Sequence, residues 1–262
     1  MTRSLYDYPL YYDIAFSRDV APEISFFGQC LAQWAQCESS RALELGCGPA
    51  YHSESLARTG YEMIALDSNP TMIEYASQRL GDQAENITFI QGDMRDFDLS
   101  EKVDLVVCML ASVALILTLD DMIAHFEAVA RNLNEGGLYI MEISHPRDLF
   151  TNSGNRPTAP GWQAHRGQIS INMQWGEASD PVDPIREVHS WKVTAEIKDS
   201  SHSRTLQYTE EQAIWTRQEI EAAARLAGGL EIVAWYGAFD TNQTLNNSRW
   251  SWRMIPVLRR IS

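Results

Sequence analysis

Between residues 41 and 143, short apolar runs alternate with segments whose apolar residues recur at helical spacing. This alternation limits the possible folds more than any other feature of the chain. Residues 42–45, 63–66, 87–90 and 105–110 read as strands, and 53–58, 70–80 and 119–133 as helices. Asn69-Pro70 opens the second of these helices, with proline in its favoured first turn. The run 105–110 is apolar at every position, as expected of a strand buried on both faces. Gly136-Gly137 is expected to end the third helix, leaving 138–143 as the next strand. Helices between consecutive strands imply crossover units on a parallel sheet, with the connections right-handed. The expected class is therefore α/β with a doubly wound sheet.

The flanking segments behave differently. Ile24, Phe27, Leu31 and Trp34 lie on one stripe of an amphipathic helix over 22–34, and the first 20 residues are rich in tyrosine. After Pro146 the periodicity stops. Residues 147–166 read as a long loop, while 169–175, 187–197 and 204–215 alternate like three antiparallel strands. Thr216 and Glu219 form a capping-box pair that opens a helix ending before Gly228-Gly229. Residues 230–236 and 250–258 complete the strands. The predicted organisation is an N-terminal helical cap (1–40), a ligand-binding domain (41–146 and 213–262), and an inserted antiparallel sheet (147–212). The insertion is longer than an ordinary connection, so it is expected to serve as a lid or as the seam of a homodimer, or else simply to extend the fold.

Composition narrows the function classes. Thirty-five acidic against 21 basic residues give a formal charge of −14, unfavourable for a nucleic-acid partner. Arg253, Arg259 and Arg260 are too sparse to reverse this. The longest apolar run, 105–117, is shorter than the roughly 20 residues of a membrane span, and no export signal is read at the start. A cytoplasmic protein with no membrane partner is expected. Cys30, Cys37, Cys47 and Cys108 lack paired metal-ligand spacing and read as reduced thiols, and no metal is expected.

The chemistry concentrates in Leu43-Glu44-Leu45-Gly46-Cys47-Gly48-Pro49-Ala50, which spans the end of the first strand and the turn after it. Glycines there permit a sharp turn and close approach to a ligand, and open parallel sheets bind ligands at that carboxyl edge. Asp67 ends the next strand, 19 residues after Gly48, where a carboxylate can accept both hydroxyl protons of a ribose. Two readings share these features: a nicotinamide or flavin oxidoreductase, and a methyltransferase.

The turn lacks the spacing of a pyrophosphate-binding loop, and Glu44 lies two residues before its first glycine. In this it resembles class I S-adenosylmethionine-dependent methyltransferases, with Ala50 in place of the third glycine of their first motif. Gln91-Gly92-Asp93-Met94 after the third strand, Cys108-Met109-Leu110-Ala111-Ser112 after the fourth and Gly136-Gly137 before the fifth match as well. Gly92-Asp93-Met94-Arg95-Asp96-Phe97, His52 and Tyr12-Asp13 are similar to aminosugar and glycine-type N-methyltransferases. The resemblance implies a Rossmann-like sheet of seven strands with the last antiparallel, plus the inserted sheet after the fifth. It implies a site for S-adenosyl-L-methionine formed by Tyr12, Glu44, Gly46, Cys47, Gly48, Asp67, Ser68, Met72, Asp93, Met94 and Leu110. Asp93 would meet the adenine amine, and an N-terminal tyrosine, best matched by Tyr12, would close over the cofactor.

The implied reaction moves a methyl group to a nitrogen or oxygen of a small-molecule acceptor by in-line displacement, with nitrogen preferred. The alternative is a protein of the same fold that binds the cofactor without transfer. His145 and Glu142, at the end of the fifth strand, are the catalytic candidates together with Tyr12; His145 could take a proton near neutral pH and Glu142 could orient an amine. Against this stands the reading that Glu142 caps backbone and His145 is a loop residue. Trp162, Trp175, Trp191, Trp215 and Trp235 are candidates for a pocket wall, the core or a dimer seam, and Arg147, Arg156 and Arg186 for holding an anionic group.

Overall fold

The computed structural model describes residues 3–145, 147, 161–200 and 202–262. Its principal sheet is built from β1 (Arg41–Leu45), β2 (Glu62–Asp67), β3 (Ile87–Gln91), β4 (Val103–Cys108), β5 (Leu133–Met141), β12 (Leu230–Tyr236) and β13 (Arg253–Arg260), in the order β3-β2-β1-β4-β5-β13-β12. The first five are parallel, and β13 runs antiparallel to both its neighbours. The two-residue β6 (Ile143–Ser144) pairs with the start of β13. This is the seven-stranded arrangement with an antiparallel last strand that the resemblance implied.

The strands alternate their side chains between two cores. Val106, Cys108, Tyr139 and Met141 face α5 (Leu119–Asn132) and α6 (Arg217–Ala227). Leu105, Val107, Leu138 and Ile140 face α2 (Ala21–Trp34), α3 (Tyr51–Arg58) and α4 (Pro70–Leu80). All six β4 residues are buried, so its uninterrupted apolar run follows from its central position. Fully burying a side chain such as Phe26 or Phe126 stabilises the fold by about 2–3 kcal/mol.

Local sequence explains most helix starts. The Asn69 side chain accepts from the Thr71 N–H and Pro70 occupies the first turn of α4. Thr118 caps α5, and Thr216 with Glu219 closes the expected capping box on α6. α3 is different, because Ala50 before it has a positive φ of 63° and no capping side chain. Its cap comes from the preceding strand: Glu44 accepts from the Ser53 N–H at 2.8 Å and from its hydroxyl at 2.6 Å.

A second sheet is formed by β7 (Trp162–Arg166), β8 (Ile169–Trp175), β10 (Val188–Asp199) and β11 (His202–Ala213), ordered β11-β10-β8-β7, with β9 (Val182–Asp183) beside β10. Its apolar face packs on α1 (Pro9–Phe16) and on the short helical turn before it, where Ile14, Ala15 and Leu5 meet Ile171, Met173 and Val193.

Three expectations need correction. Residues 162–166, read as loop, form β7, held by the β8 ladder and by a 2.8 Å bond from the Trp162 indole to the Ala15 carbonyl; 146, 148–160 and 201 lie outside the described residues. Gly136-Gly137 does not separate α5 from the next strand, since β5 already begins at Leu133. The glycines form a bulge, where two β4 steps from Val103 to Leu105 match five β5 steps from Leu133 to Leu138. A Cβ on Gly136 would lie 2.9 Å from the Gln36 carbonyl carbon, so this position serves close packing against the chain after α2. The last strand begins at Arg253, not Trp250, and Trp250 and Trp252 are exposed in the preceding turn.

Candidate active site

The carboxyl ends of β1, β2, β3 and β4 open into a cavity of about 900 Å³, near the upper end of the range of small-molecule sites. Backbone geometry shapes the end nearest β1. Gly46 and Gly48 have φ of +63° and +51°, conformations that other residues rarely adopt. A Cβ on Gly46 would lie 3.2 Å from Ser112, and one on Gly48 would lie 3.6 Å from the Tyr12 ring. The two glycines therefore bring bare backbone to the cavity wall.

Asp67 closes β2 and holds this turn. One carboxylate oxygen accepts from the Gly48 N–H and the other from the Asn69 N–H, both at 2.9 Å. An ionised carboxylate offers about four lone-pair positions, more than its backbone donors use, so acceptor capacity remains for a ligand in the cavity that Asp67 lines. Burial raises its pKa, and the backbone N–H bonds of Asn69 and Gly48 offset only part of that rise. Leu66, Met72 and Met94 give the adjoining wall an apolar lining.

Asp93 is clamped by Arg95, whose Nη2 lies 2.6 Å from it; this bond outweighs burial and lowers the Asp93 pKa. The Met94 carbonyl is supported from below by buried His125, whose Nδ1 donates to it at 2.8 Å while Nε2 accepts from the Tyr139 hydroxyl at 2.7 Å. Burial lowers the His125 pKa to about 4, so the ring is neutral and its donor is fixed. Leu110 and Ala111 have φ of +55° and +56° and also line the cavity. The Leu110 N–H donates to Glu142 at 2.8 Å, which compensates the strain of that turn.

The N-terminal segment roofs the cavity. Tyr6, Tyr12 and Phe16 line it, and the Asn69 amide donates to the Tyr6 carbonyl at 2.8 Å. Tyr8 and Tyr11 instead pack in the core between α1 and the inserted sheet. Asp13, fully buried, accepts from the Tyr51 and Tyr75 hydroxyls and from Arg166 on β7 at 2.5 Å. Burial would raise its pKa, but those three bonds together hold it below the usual range. One carboxylate thus ties α1 to α3, α4 and the inserted sheet. The far end of the cavity is aromatic, with Trp162, Trp175 and Trp191 beside Gln212, Leu115 and Arg253.

The structure brings Tyr12, Gly46, Gly48, Asp67, Ser68, Met72, Asp93, Met94 and Leu110 to this one cavity. Glu44 and Cys47 lie behind the turn, beside a smaller pocket. Both oxygens of Glu44 are engaged, by His52 at 2.9 Å and by Ser53, so it anchors the turn to α3. Glu142 and His145 are not at the cavity wall. Glu142 pairs with Arg253 at 2.6 Å besides holding Leu110. His145 donates to the Asn246 carbonyl at 3.0 Å and accepts from the Arg147 N–H, so both ring nitrogens serve the loop.

Arg147 and Arg186 are also engaged, with the carbonyls of Ser248 and Ser251 and with Glu211; Arg156 lies outside the described residues. Trp215 is core, donating to the Ile116 carbonyl. Sequence reasoning missed Phe16, Arg95, Gln212 and Arg253 as wall residues, because no local spacing joins them. Strand alternation could have placed Gln212 on the same face as Trp191.

Comparisons with known proteins agree with this geometry. The family described as a methyltransferase domain matches residues 42–137. A dTDP-3-amino-3,4,6-trideoxy-alpha-D-glucopyranose N,N-dimethyltransferase of Streptomyces venezuelae is 32% identical over 135 residues, 52% of this chain and 54% of that protein, so the match spans about half its length. YqeM of Bacillus subtilis, a protein described as a methyltransferase, is 31% identical over 173 residues, 60% of this chain and 69% of YqeM. The crystal structure of an S-adenosylmethionine-dependent methyltransferase from Clostridium acetobutylicum shares the fold, with a TM-score of 0.77 at 17% identity over 99% of this chain and 100% of that one. With the glycine turn, the acid that closes β2 and the strand order in place, the chain belongs to the class I S-adenosylmethionine-dependent methyltransferases.

Proposed function

We propose that the protein transfers a methyl group from S-adenosylmethionine to a small-molecule acceptor, with nitrogen favoured over oxygen. The observation that carries this reading is one large cavity with two unlike ends. Its glycine-and-aspartate end suits a nucleoside, and its aromatic end, formed by the insertion and the N-terminal segment, leaves room for a second small molecule.

The residues present fit the cofactor. Asp67 keeps acceptor capacity for ribose hydroxyls, the bare backbone at Gly46 and Gly48 admits close approach, and Leu66, Met72 and Met94 offer apolar surface. When bound, S-adenosylmethionine supplies an activated methyl group on a cationic sulfonium. Tyr6, Tyr12 and Phe16 cover the site from above and present aromatic faces, which favour a cation by about 0.5–2 kcal/mol.

The remaining contribution of the chain is alignment and exclusion of water. His145 and Glu142 are committed to structural partners, so neither is assigned as a base. Burial raises the Tyr12 pKa strongly, so its phenol stays protonated as part of the roof. With no protein base assigned, an amine suits the site better than an alcohol, because an ammonium can pass its proton to solvent and so free a nucleophilic lone pair. The similarity to an amino-sugar N,N-dimethyltransferase supports the same preference. In this reading the inserted sheet is a wall of the acceptor end, and the net charge of −14 disfavours a nucleic-acid substrate.

The test is incubation with methyl-labelled S-adenosylmethionine and a panel of amines, alcohols and acids. Label should pass to one or more amines. Cofactor binding with no labelled product across the panel would instead support the non-catalytic binder.

A further inference from the structure

The inserted sheet places a buried carboxylate just behind the aromatic end of the cavity. In the β10–β11 ladder Trp191 lies opposite Glu210, and His189 opposite Gln212. Directly opposed residues share a face, so Glu210 points the same way as Trp191 and Gln212, which line the cavity. Glu210 is only 8% exposed. Its donors among the described residues are neutral: the Gln212 amide at 2.7 Å and the Tyr6 hydroxyl.

An ionised carboxylate only accepts hydrogen bonds. Tyr6 therefore spends its single hydroxyl hydrogen on Glu210, and its remaining lone pairs are acceptors. The Gln212 amide turns its nitrogen to Glu210, so its oxygen points elsewhere. Both residues line the cavity, and with hydrogens spent on Glu210 the acceptor capacity they keep is on their oxygens. The cations at the wall are neutralised, Arg253 by Glu142 at 2.6 Å and Arg95 by Asp93. What remains at this end is aromatic surface from Trp162, Trp175 and Trp191 together with oriented acceptors. This combination recognises an organic cation bearing N–H groups and disfavours an anion.

We infer that Glu210 is a positioning residue that, through Tyr6 and Gln212, selects a protonatable amine as the methyl acceptor. The inference rests on the methyltransferase reading for its role in turnover, but the binding preference is testable separately. The amine binds as its ammonium form, loses one proton to water, and reacts through the freed lone pair. The new N–C bond forms as the C–S bond breaks, and the bonding pair stays on sulfur.

The test is titration of the whole protein with cyclohexylamine, cyclohexanol and cyclohexanecarboxylate, with and without S-adenosylhomocysteine, read by calorimetry and tryptophan fluorescence. The amine should bind about tenfold more tightly than the alcohol, and the carboxylate most weakly. Glu210→Gln should reduce the amine preference to about threefold or less while S-adenosylhomocysteine binds within about twofold of wild type. Should that variant fold poorly, Tyr6→Phe and Gln212→Leu make the same test by removing the two oriented acceptors. Equal binding of amine and alcohol, no amine binding in the millimolar range, or a preference that survives these substitutions overturns the inference. Failure of S-adenosylhomocysteine to bind wild type would instead overturn the cofactor reading, and the amine-to-alcohol ratio measured without it would still decide this one.

Discussion

The glycine-and-aspartate end of the cavity draws its wall from residues 46–48, 66–72 and 92–94, each beside the carboxyl end of a strand, whereas the aromatic end joins residues as distant in sequence as Tyr6, Trp162, Gln212 and Arg253. The first is largely backbone: two glycines with positive φ, an aspartate bonded to main-chain N–H groups, and a carbonyl propped by a buried histidine. The second is side chains presented by an added sheet and a docked N-terminal helix. Backbone cradles tolerate little change in chain conformation, while a side-chain wall can change its chemistry and leave the fold intact. Substitutions at the two ends should therefore fail differently.

The largest effect is expected at the glycine turn. Gly46→Val forces a β-branched residue to φ +63° and places its Cβ 3.2 Å from Ser112. Cofactor affinity should fall about a hundredfold or more, close to 3 kcal/mol, in a titration with S-adenosylhomocysteine. An affinity within threefold of wild type would mean that the turn is not the cradle.

Acid should weaken the two ends in the same direction but over different intervals, because the pKa of a buried group at each is lowered on folding. The pKa of His125 is lowered to about 4 in the folded protein, so on acidification the unfolded chain binds this proton first. Stability should decline from about pH 6.5 to pH 4 by about 3 kcal/mol from this group, then level off. His125→Gln, which can still donate to the Met94 carbonyl, should lose that slope in denaturant titrations across the interval. Asp13 is shifted in the same direction, but from the lower carboxylate range, so its effect appears at more acid pH. Its depressed pKa contributes stability at pH values above the unfolded value, and that contribution is lost as pH falls through the folded one.

At neutral pH, Asp13→Ala should cost about 2 kcal/mol, because three donors lose their acceptor; partial exposure of Arg166 keeps the figure below that of a fully buried pair. Proteolysis of this variant should cut first around α1 and β7, before the principal sheet. Simultaneous cleavage of both regions would show that Asp13 is not the tie between them. The smallest effect belongs to the aromatic wall. Trp191→Ala should raise the acceptor KM about fivefold, near 1 kcal/mol, with cofactor affinity unchanged.

The same contrast explains what was legible in the sequence. Gly46, Gly48, Asp67 and Asp93-Met94 are recognisable because the chemistry of each is tied to a strand end, and strand ends follow from hydrophobic periodicity. The apolar run of β4 likewise announced a central strand. Gly136-Gly137 misled because paired glycines signal a break and a bulge equally well, and only the approach of Gln36 distinguishes them. His145 and Glu142 have the right residue types at the right edge, but their partners, Asn246 and Arg253, are more than 100 residues away. The wall residues Tyr6, Gln212 and Arg253 meet only through tertiary docking of the cap and insertion, which no local pattern records.

Titration of S-adenosylmethionine into wild type and Asp67→Ala tests the central claim most directly, because this side chain both holds the Gly48 turn and faces the place assigned to the ribose. The account predicts saturable binding at one site per chain and a loss of about tenfold or more in the variant, with its thermal unfolding still cooperative. Equal affinity in the two proteins, or no binding to wild type, would contradict it.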